Sequence, residues 1–339
     1  MGPLGSARAL DGVADQPRHL TMPLDLSVVI PVFNSESILR LLIQRLMPIL
    51  EAETDRKEVI LINDGSRDSS WDVIRQLAQE YPEVRGINLM RNYGQHNALL
   101  AGIRQAGYET IITMDDDLQN LPEEIPKLLG KLREGYDVVY GIPETSVWGL
   151  RRTLASRVTK LVLRRAMGAE IASQVTAFRA IRTHVREAFA SYEAPFVSID
   201  VLLTWGATSF GAVQTRFDQR RIGTSHYTWR RLVTHALNLV TGFNVWPLQF
   251  ASMLGFGCTV FGLTLLIYVL GRYVLEGGSV PGFPFLACII SIFSGAQLFT
   301  LGIMGEYLSR MHFRSMGQPA YIVRSTTAGH DATAVRQST

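Results

Sequence analysis

The sequence predicts an α/β fold with a mostly parallel sheet, followed by interfacial helices and a two-helix membrane hairpin. Three observations carry this reading. Short apolar runs alternate with helix-like runs from Asp25 to about Pro143, polar clusters follow those apolar runs, and the chain after Leu248 is almost uncharged until Glu306. Leu26–Ile30, Val59–Ile62, Arg85–Leu89, Thr110–Met114 and Val138–Tyr140 read as short buried strands. Between them Ile38–Leu50, Trp71–Tyr81 and Gln95–Ala106 place apolar residues three and four apart, as helices do. Short apolar strands alternating with helices form a parallel sheet covered on both faces. Ligands of such sheets bind beyond the carboxyl ends of the strands.

The polar clusters sit at those ends. Asn34-Ser35-Glu36 follows the first strand, Asn63-Asp64-Gly65-Ser66 the second, Arg91-Asn92-Tyr93-Gly94 the third and Asp115-Asp116-Asp117 the fourth. The acid triplet is the most informative. Three carboxylates repel one another, and nothing nearby in sequence offers them a Lys or Arg. A divalent cation with hard oxygen ligands relieves that repulsion. In an extended chain Asp115 and Asp117 lean one way and Asp116 the other, and Gln119 extends the first row. A helix cap with solvated acids ahead of Pro122 explains an isolated triplet equally well.

Leu248–Leu270 and Phe283–Gly305 are each about 23 residues without a formal charge, enough to cross a hydrocarbon core. Arg230, Arg231, Arg310, Arg314 and Arg324 flank their outer ends, against Arg272 alone in the connection. That asymmetry predicts a multi-pass protein of the inner membrane with both soluble flanks in the cytoplasm. Arg151–Met167 and Tyr227–Phe243 are basic and amphipathic, and the second runs almost directly into a span; it is read as an interfacial helix touching membrane lipids. For the first, a solvated helix face serves as well. The expected organisation is an N-terminal tail over 1–24, a catalytic domain over 25–226, a juxtamembrane helix over 227–247, the hairpin over 248–309 and a cytoplasmic tail over 310–339. A net charge of +3 gives nucleic-acid binding no global support. Cys258 and Cys288 suit neither a disulfide framework nor a zinc site. No cleavable signal peptide is visible.

Several segments occur in an informative order: Ser27-Val-Val-Ile-Pro-Val-Phe-Asn34, Ile62-Asn-Asp-Gly-Ser66, Asn92-Tyr-Gly-Gln-His96, Asp115–Gln119 with Pro122-Glu-Glu-Ile-Pro126, and Gly135-Tyr-Asp-Val-Val139. With the apolar hairpin behind them, the chain resembles the family-2 glycosyltransferases that use polyprenyl phosphates. That group includes dolichol-phosphate mannose synthase, the GtrB-type glucosyltransferases and the ArnC-type aminoarabinose transferases. The resemblance runs from about Leu26 to Val323. It implies a GT-A domain and an inverting, metal-dependent transfer from a UDP-, GDP- or dTDP-sugar to polyprenyl phosphate, for envelope-glycan assembly or modification. It implies that Asp115, Asp117 and Gln119 hold Mg²⁺ or Mn²⁺ on the donor pyrophosphate. Donor binding falls to Pro31, Phe33, Glu36 and Asp64 in the first two loops, and to Arg91, Asp115, Asp116 and Arg179 further on. Arg220, Ser225 and His226 would hold the acceptor phosphate, and the transfer itself would rest on Asp117, Arg220 and His226. A homo-oligomer is also compatible with the resemblance.

The match departs from the family pattern at three places. His226 stands where Lys is usual, Ser173 where an acid precedes Arg179, and Ser35 where Glu follows Asn34. Two other readings stay open. One is a processive polysaccharide synthase, although its Gln-x-x-Arg-Trp motif is missing from the sequence. The other is a non-catalytic, membrane-anchored interaction protein on a degenerate transferase fold.

Overall fold

The computed structural model describes residues 24–144, 175–218, 246–276 and 282–327. Arg151–Met167, Ser173, the expected acceptor motif Arg220–His226 and the juxtamembrane helix Tyr227–Phe243 lie outside the described residues. Five strands match the apolar runs: β1 (Leu26–Val32), β2 (Lys57–Asn63), β3 (Val84–Leu89), β4 (Thr110–Thr113) and β5 (Val138–Pro143). Each of β1 to β4 is followed by a helix: α1 (Leu39–Glu53), α2 (Ser70–Glu80), α3 (Gln95–Gln105) and α4 (Ile125–Arg133). In α1 the buried residues are Leu39, Leu42, Ile43, Leu46, Met47 and Leu50, a single stripe at helical spacing.

Three further strands went unread in the sequence: β6 (Arg179–Arg182), β7 (Phe210–Thr215) and β8 (Val323–Thr326). One eight-stranded sheet results, in the order β7-β5-β6-β4-β1-β2-β3-β8. β1 pairs in parallel with β2 and with β4, and β2 with β3. β6 runs antiparallel between β4 and β5, placing Arg179 opposite both Thr113 and Tyr140. β8 adds antiparallel to the outer edge of β3. The sheet therefore draws its last strand from beyond the long apolar helices, and the expected C-terminal tail is in part a piece of it. Asn97 fastens this return, its Nδ2 donating to the carbonyls of Ala320 and Pro195 at 2.6 and 2.9 Å.

Buried side chains form two layers, as helices on both sheet faces require. One contains the inner stripes of α1 and α4 and Ile74 and Leu77 of α2. The other contains α3 and α5 (Ile199–Gly206). α3 lies so close to the sheet that Gly102 cannot be larger: an added Cβ would stand 2.4 Å from Val29 Cγ1 and 2.6 Å from Ile62 Cδ1.

Beyond the sheet lie α6 (Trp246–Glu276) and α7 (Phe283–Ser315). Leu248–Val269 of α6 is long and apolar enough to cross a membrane; among the described residues it is the one helical segment that meets both conditions. Its 22 residues span about 33 Å at the helical rise. Phe256, Met253 and Leu266 stand mostly exposed on it, as side chains facing lipid do. The two helices touch where Phe293 lies against Gly262, at a point where a Cβ would come within 2.7 Å of the ring.

Replacing Gly102 with Ala should cost roughly 1–3 kcal/mol, because α3 must lift from β1 and β2 to admit the methyl group. Urea unfolding followed by tryptophan fluorescence reads this as a lower midpoint; an unchanged midpoint would mean that the helix shifts freely.

Candidate active site

The carboxyl ends of β1 to β4 meet at one edge of the sheet, and their loops are tied together by side chains that accept backbone N–H groups. Asp64, at the end of β2, is buried and receives Tyr93 N at 2.7 Å and Gly94 N at 2.8 Å. Burial pushes its carboxyl up and these two bonds oppose the shift; the net displacement is upward. Gly65 beside it has φ +65°, and an added Cβ would meet Asn92 N at 2.5 Å. Only glycine admits this contact between the two loops. The first loop is held to the second: Asn34, at φ +54°, receives Arg67 N on its side-chain oxygen, and its own N–H donates to Ser66 Oγ. Asn tolerates this left-handed conformation better than other side chains.

The acid triplet is not an extended strand. β4 stops at Thr113, and Leu118 at φ +57° reverses the chain within the following turn. The alternation expected for Asp115 to Gln119 therefore does not apply. Gln119 N donates back to Asp117 Oδ1 at 3.1 Å, the short-range bond typical of Asp in turns. Asp115 Oδ1 receives Gln95 Nε2 from the start of α3 at 2.5 Å. Asp116 does turn away from its neighbours, toward the first loop. Its Oδ2 takes Ser35 Oγ at 2.5 Å and Phe33 N at 3.1 Å. Burial pushes the Asp116 carboxyl up to about 6 despite those bonds, with the charge of Asp117 adding to the rise.

The other expected donor residues divide into two groups. Phe33 keeps an exposed ring, 46% accessible, at the rim of the cleft. Arg91 is exposed too, with its guanidinium 4.9 Å from the centre of the Tyr93 ring. Pro31, by contrast, is buried within β1. Glu36 serves the start of α2, accepting Ser69 N at 2.7 Å while its own N–H donates to Asp68. Arg179, expected at the donor, is instead buried in an ion pair. It is 2% exposed, and its Nη1 donates to Asp200 Oδ1 at 2.8 Å, with Tyr140 OH on the same oxygen at 3.2 Å. The acid that seemed lost at Ser173 is thus supplied by Asp200, at the start of α5. Gln95, Ser35 and Asp200 are the residues that sequence reasoning missed. Gln95 lay inside a quoted motif and its polar head next to a strand end was a usable signal, whereas Asp200 gave none.

A family model described as glycosyl transferase family 2 matches residues 27–188. Relatives extend the similarity over nearly the whole chain. An undecaprenyl-phosphate 4-deoxy-4-formamido-L-arabinose transferase from Shewanella sediminis (strain HAW-EB3) is 35% identical over 316 residues, 92% of this chain and 95% of that protein. A protein of the same name from Pectobacterium carotovorum subsp. carotovorum (strain PC1) is 33% identical over 308 residues, 90% of this chain and 94% of its own. The chain is a family-2 glycosyltransferase. Among solved structures, glucosyl-3-phosphoglycerate synthase from Mycobacterium tuberculosis, in complex with Mn²⁺ and UDP-glucose, aligns with a TM-score of 0.49 at 18% identity, covering 64% of this chain and 78% of that one.

In this glycosyltransferase Asp115, Asp117 and Gln119 are partly exposed and offer hard oxygen atoms on one turn. Among the described residues no three His, Cys, Asp or Glu side chains converge as a closed metal cage. Mg²⁺ usually takes one or two carboxylates and completes its shell with water and substrate phosphates, so an open acidic turn fits such an ion. The turn is also bound on its far side to the end of β7, where Asp218 N donates to Gln119 O at 3.0 Å and Phe217 bridges Asn120.

Replacing Asp64 with Asn would set an amide NH₂ against one of two backbone N–H donors. The transferase should lose about 1–3 kcal/mol of stability, read from denaturant midpoints, since a buried donor is left unpaired. An unaltered midpoint would show that the loop of Tyr93 and Gly94 is held by other contacts.

Proposed function

We propose that this transferase moves a sugar, with inversion, from a nucleotide sugar to the phosphate of a membrane polyprenyl phosphate. The observation that carries the reading is the similarity, over about nine tenths of the chain, to enzymes named as undecaprenyl-phosphate sugar transferases. The open acidic turn next to an exposed aromatic ring supports the donor half of it. Phe33 stacks on the nucleoside base, an apolar ring presented at a strand end whose backbone is pinned by Asp116. Asp115 and Asp117, with Gln119, would hold Mg²⁺ or Mn²⁺, which when bound would supply positive charge to the departing nucleoside diphosphate. Asp64 and Gln95 act one step back, fixing the loops on which these groups sit.

A phosphate acceptor brings its own anionic oxygen at neutral pH. That oxygen forms the new bond to the anomeric carbon as the bond from this carbon to the diphosphate oxygen breaks. No side chain has to withdraw a proton, so the work of the protein is to orient two mutually repelling anions. Arg220, Ser225 and His226 take the acceptor phosphate. In this reading Leu248–Val269 of α6 crosses the bilayer and the uncharged run Phe283–Gly305 of α7 returns through it, leaving the sheet on the cytoplasmic face of an inner membrane and the prenyl chain in lipid. The glycolipid product feeds the assembly or modification of envelope glycans.

The direct test offers membranes UDP-, GDP- and dTDP-sugars with undecaprenyl phosphate, with and without EDTA. The expected result is a lipid-linked sugar from one donor, lost with chelator and restored by Mg²⁺ or Mn²⁺; donor consumption without lipid product would sink the acceptor assignment. Asp117→Ala should lower turnover by at least about a hundredfold in a protein that still folds, and full activity at saturating donor would remove Asp117 from the metal site. A third expectation concerns His226, whose charge changes near neutral pH. His226→Lys should flatten the pH profile of transfer between about pH 6 and 7.5, and an identical profile would mean that His226 does not meet the phosphate.

A further inference from the structure

Glu124 is fully buried, and its carboxylate takes donors from two separate parts of the chain. Its Oε1 takes Arg216 Nε at 2.6 Å, and its Oε2 takes both Arg216 N at 3.2 Å and Lys127 Nζ at 2.5 Å. Burial raises the carboxyl, while the bonds from Lys127 and Arg216 more than offset that rise, so the group stays charged. A charged group kept in such a place is poor evidence of stabilisation by itself, because an apolar residue of similar size does as well. What it fixes is more telling. Arg216, Phe217 and Asp218 are successive residues, and each is fastened to the loop that leaves the acid turn. Arg216 is bound by Glu124, Phe217 bridges Asn120, and Asp218 N donates to Gln119 O.

We propose that Glu124 is a positioning residue that sets the distance between the two substrates, by locking the segment leading to the acceptor motif onto the loop that carries the metal-binding acids. The inference rests on the acceptor role proposed for Arg220–His226. Arg220 follows Asp218 by two residues, and Asp117 precedes Gln119 by two, so the lacing lies between the two half-sites in sequence on both sides. The bond from Arg216 N matters most, because it holds the backbone whatever the Arg216 side chain does. Without Glu124 the metal-binding turn keeps its contacts to Gln95, to Ser35 and to Phe33, and donor binding survives. The segment that enters the acceptor motif then keeps only the Phe217–Asn120 bridge and the bond from Asp218 N to Gln119 O, and misplacement of about 1 Å is enough to lower transfer severely.

The test uses the full-length protein in detergent. Binding of UDP, GDP and dTDP is measured with Mn²⁺ alone, and transfer to undecaprenyl phosphate is measured with the donor that wild type turns over. For Glu124→Ala the expected outcome is nucleoside-diphosphate affinity within about twofold of wild type, with the acceptor KM raised roughly tenfold or more or kcat lowered as much. Glu124→Gln keeps one neutral acceptor oxygen for Arg216 and should recover part of the loss; it also carries the test if the alanine variant fails to fold. Arg216→Ala, which keeps the backbone N–H, should show the milder defect of the two alanine variants. Donor and acceptor constants that move together, or neither moving, would overturn the positioning role. A wild-type protein that binds the nucleotide but makes no lipid product would instead overturn the acceptor assignment, and the inference with it.

Discussion

Where a parallel strand ends, its last backbone groups lose the partners that the sheet supplied, and the loops beyond must find others. In this transferase, carboxylates meet much of that requirement. Asp64 collects two N–H groups of the β3–α3 loop, Asp116 one from the β1–α1 loop, Glu36 one from the start of α2, and Glu124 one from the end of β7. Each acid ties its own loop to a neighbour, so five separate chain segments behave as a single rim. In the proposed transfer, rigidity at this rim is a condition for the chemistry, since two anionic substrates have to be held together against their repulsion.

Most of the architecture was legible because it follows from period and composition. β1 to β5 and α1 to α3 came from apolar runs and helical stripes, and the cleft came from the rule that ligands gather at carboxyl ends. What escaped has a physical reason in each case. β6 is four residues long and carries two arginines, so Arg179-Ala-Ile-Arg182 shows little strand signal. β8 is exposed throughout, and nothing in Val323-Arg-Ser-Thr326 points to a partner more than two hundred residues earlier.

The site was legible as a set of residues but not as a set of contacts. Asp115 to Gln119 were recognisable by charge, yet the positive φ of Leu118 overturned the alternation drawn for them. Ser35 looked like a loss of the glutamate usual there, and the structure gives its hydroxyl to Asp116. Arg179 looked deprived of its acid, and Asp200 restores the pair from a helix that the sequence did not reveal. In both cases the compensating group lies far along the chain, where local spacing carries no information. The Tyr140–Asp200–Arg179 cluster also explains how a guanidinium is tolerated in the inner layer: its charge is matched and the phenol shares the same oxygen.

The return of the chain to the edge of β3 has a consequence for the order in which the protein is made. β1 to β7 leave the ribosome first, with one flank of the sheet still unpaired. The strand that covers it is synthesised only after the two long apolar helices, so the edge stays open until both have been made. An uncovered edge invites pairing with any other extended chain. Completion of the sheet is thereby made a late event, because β8 follows both apolar helices in the chain.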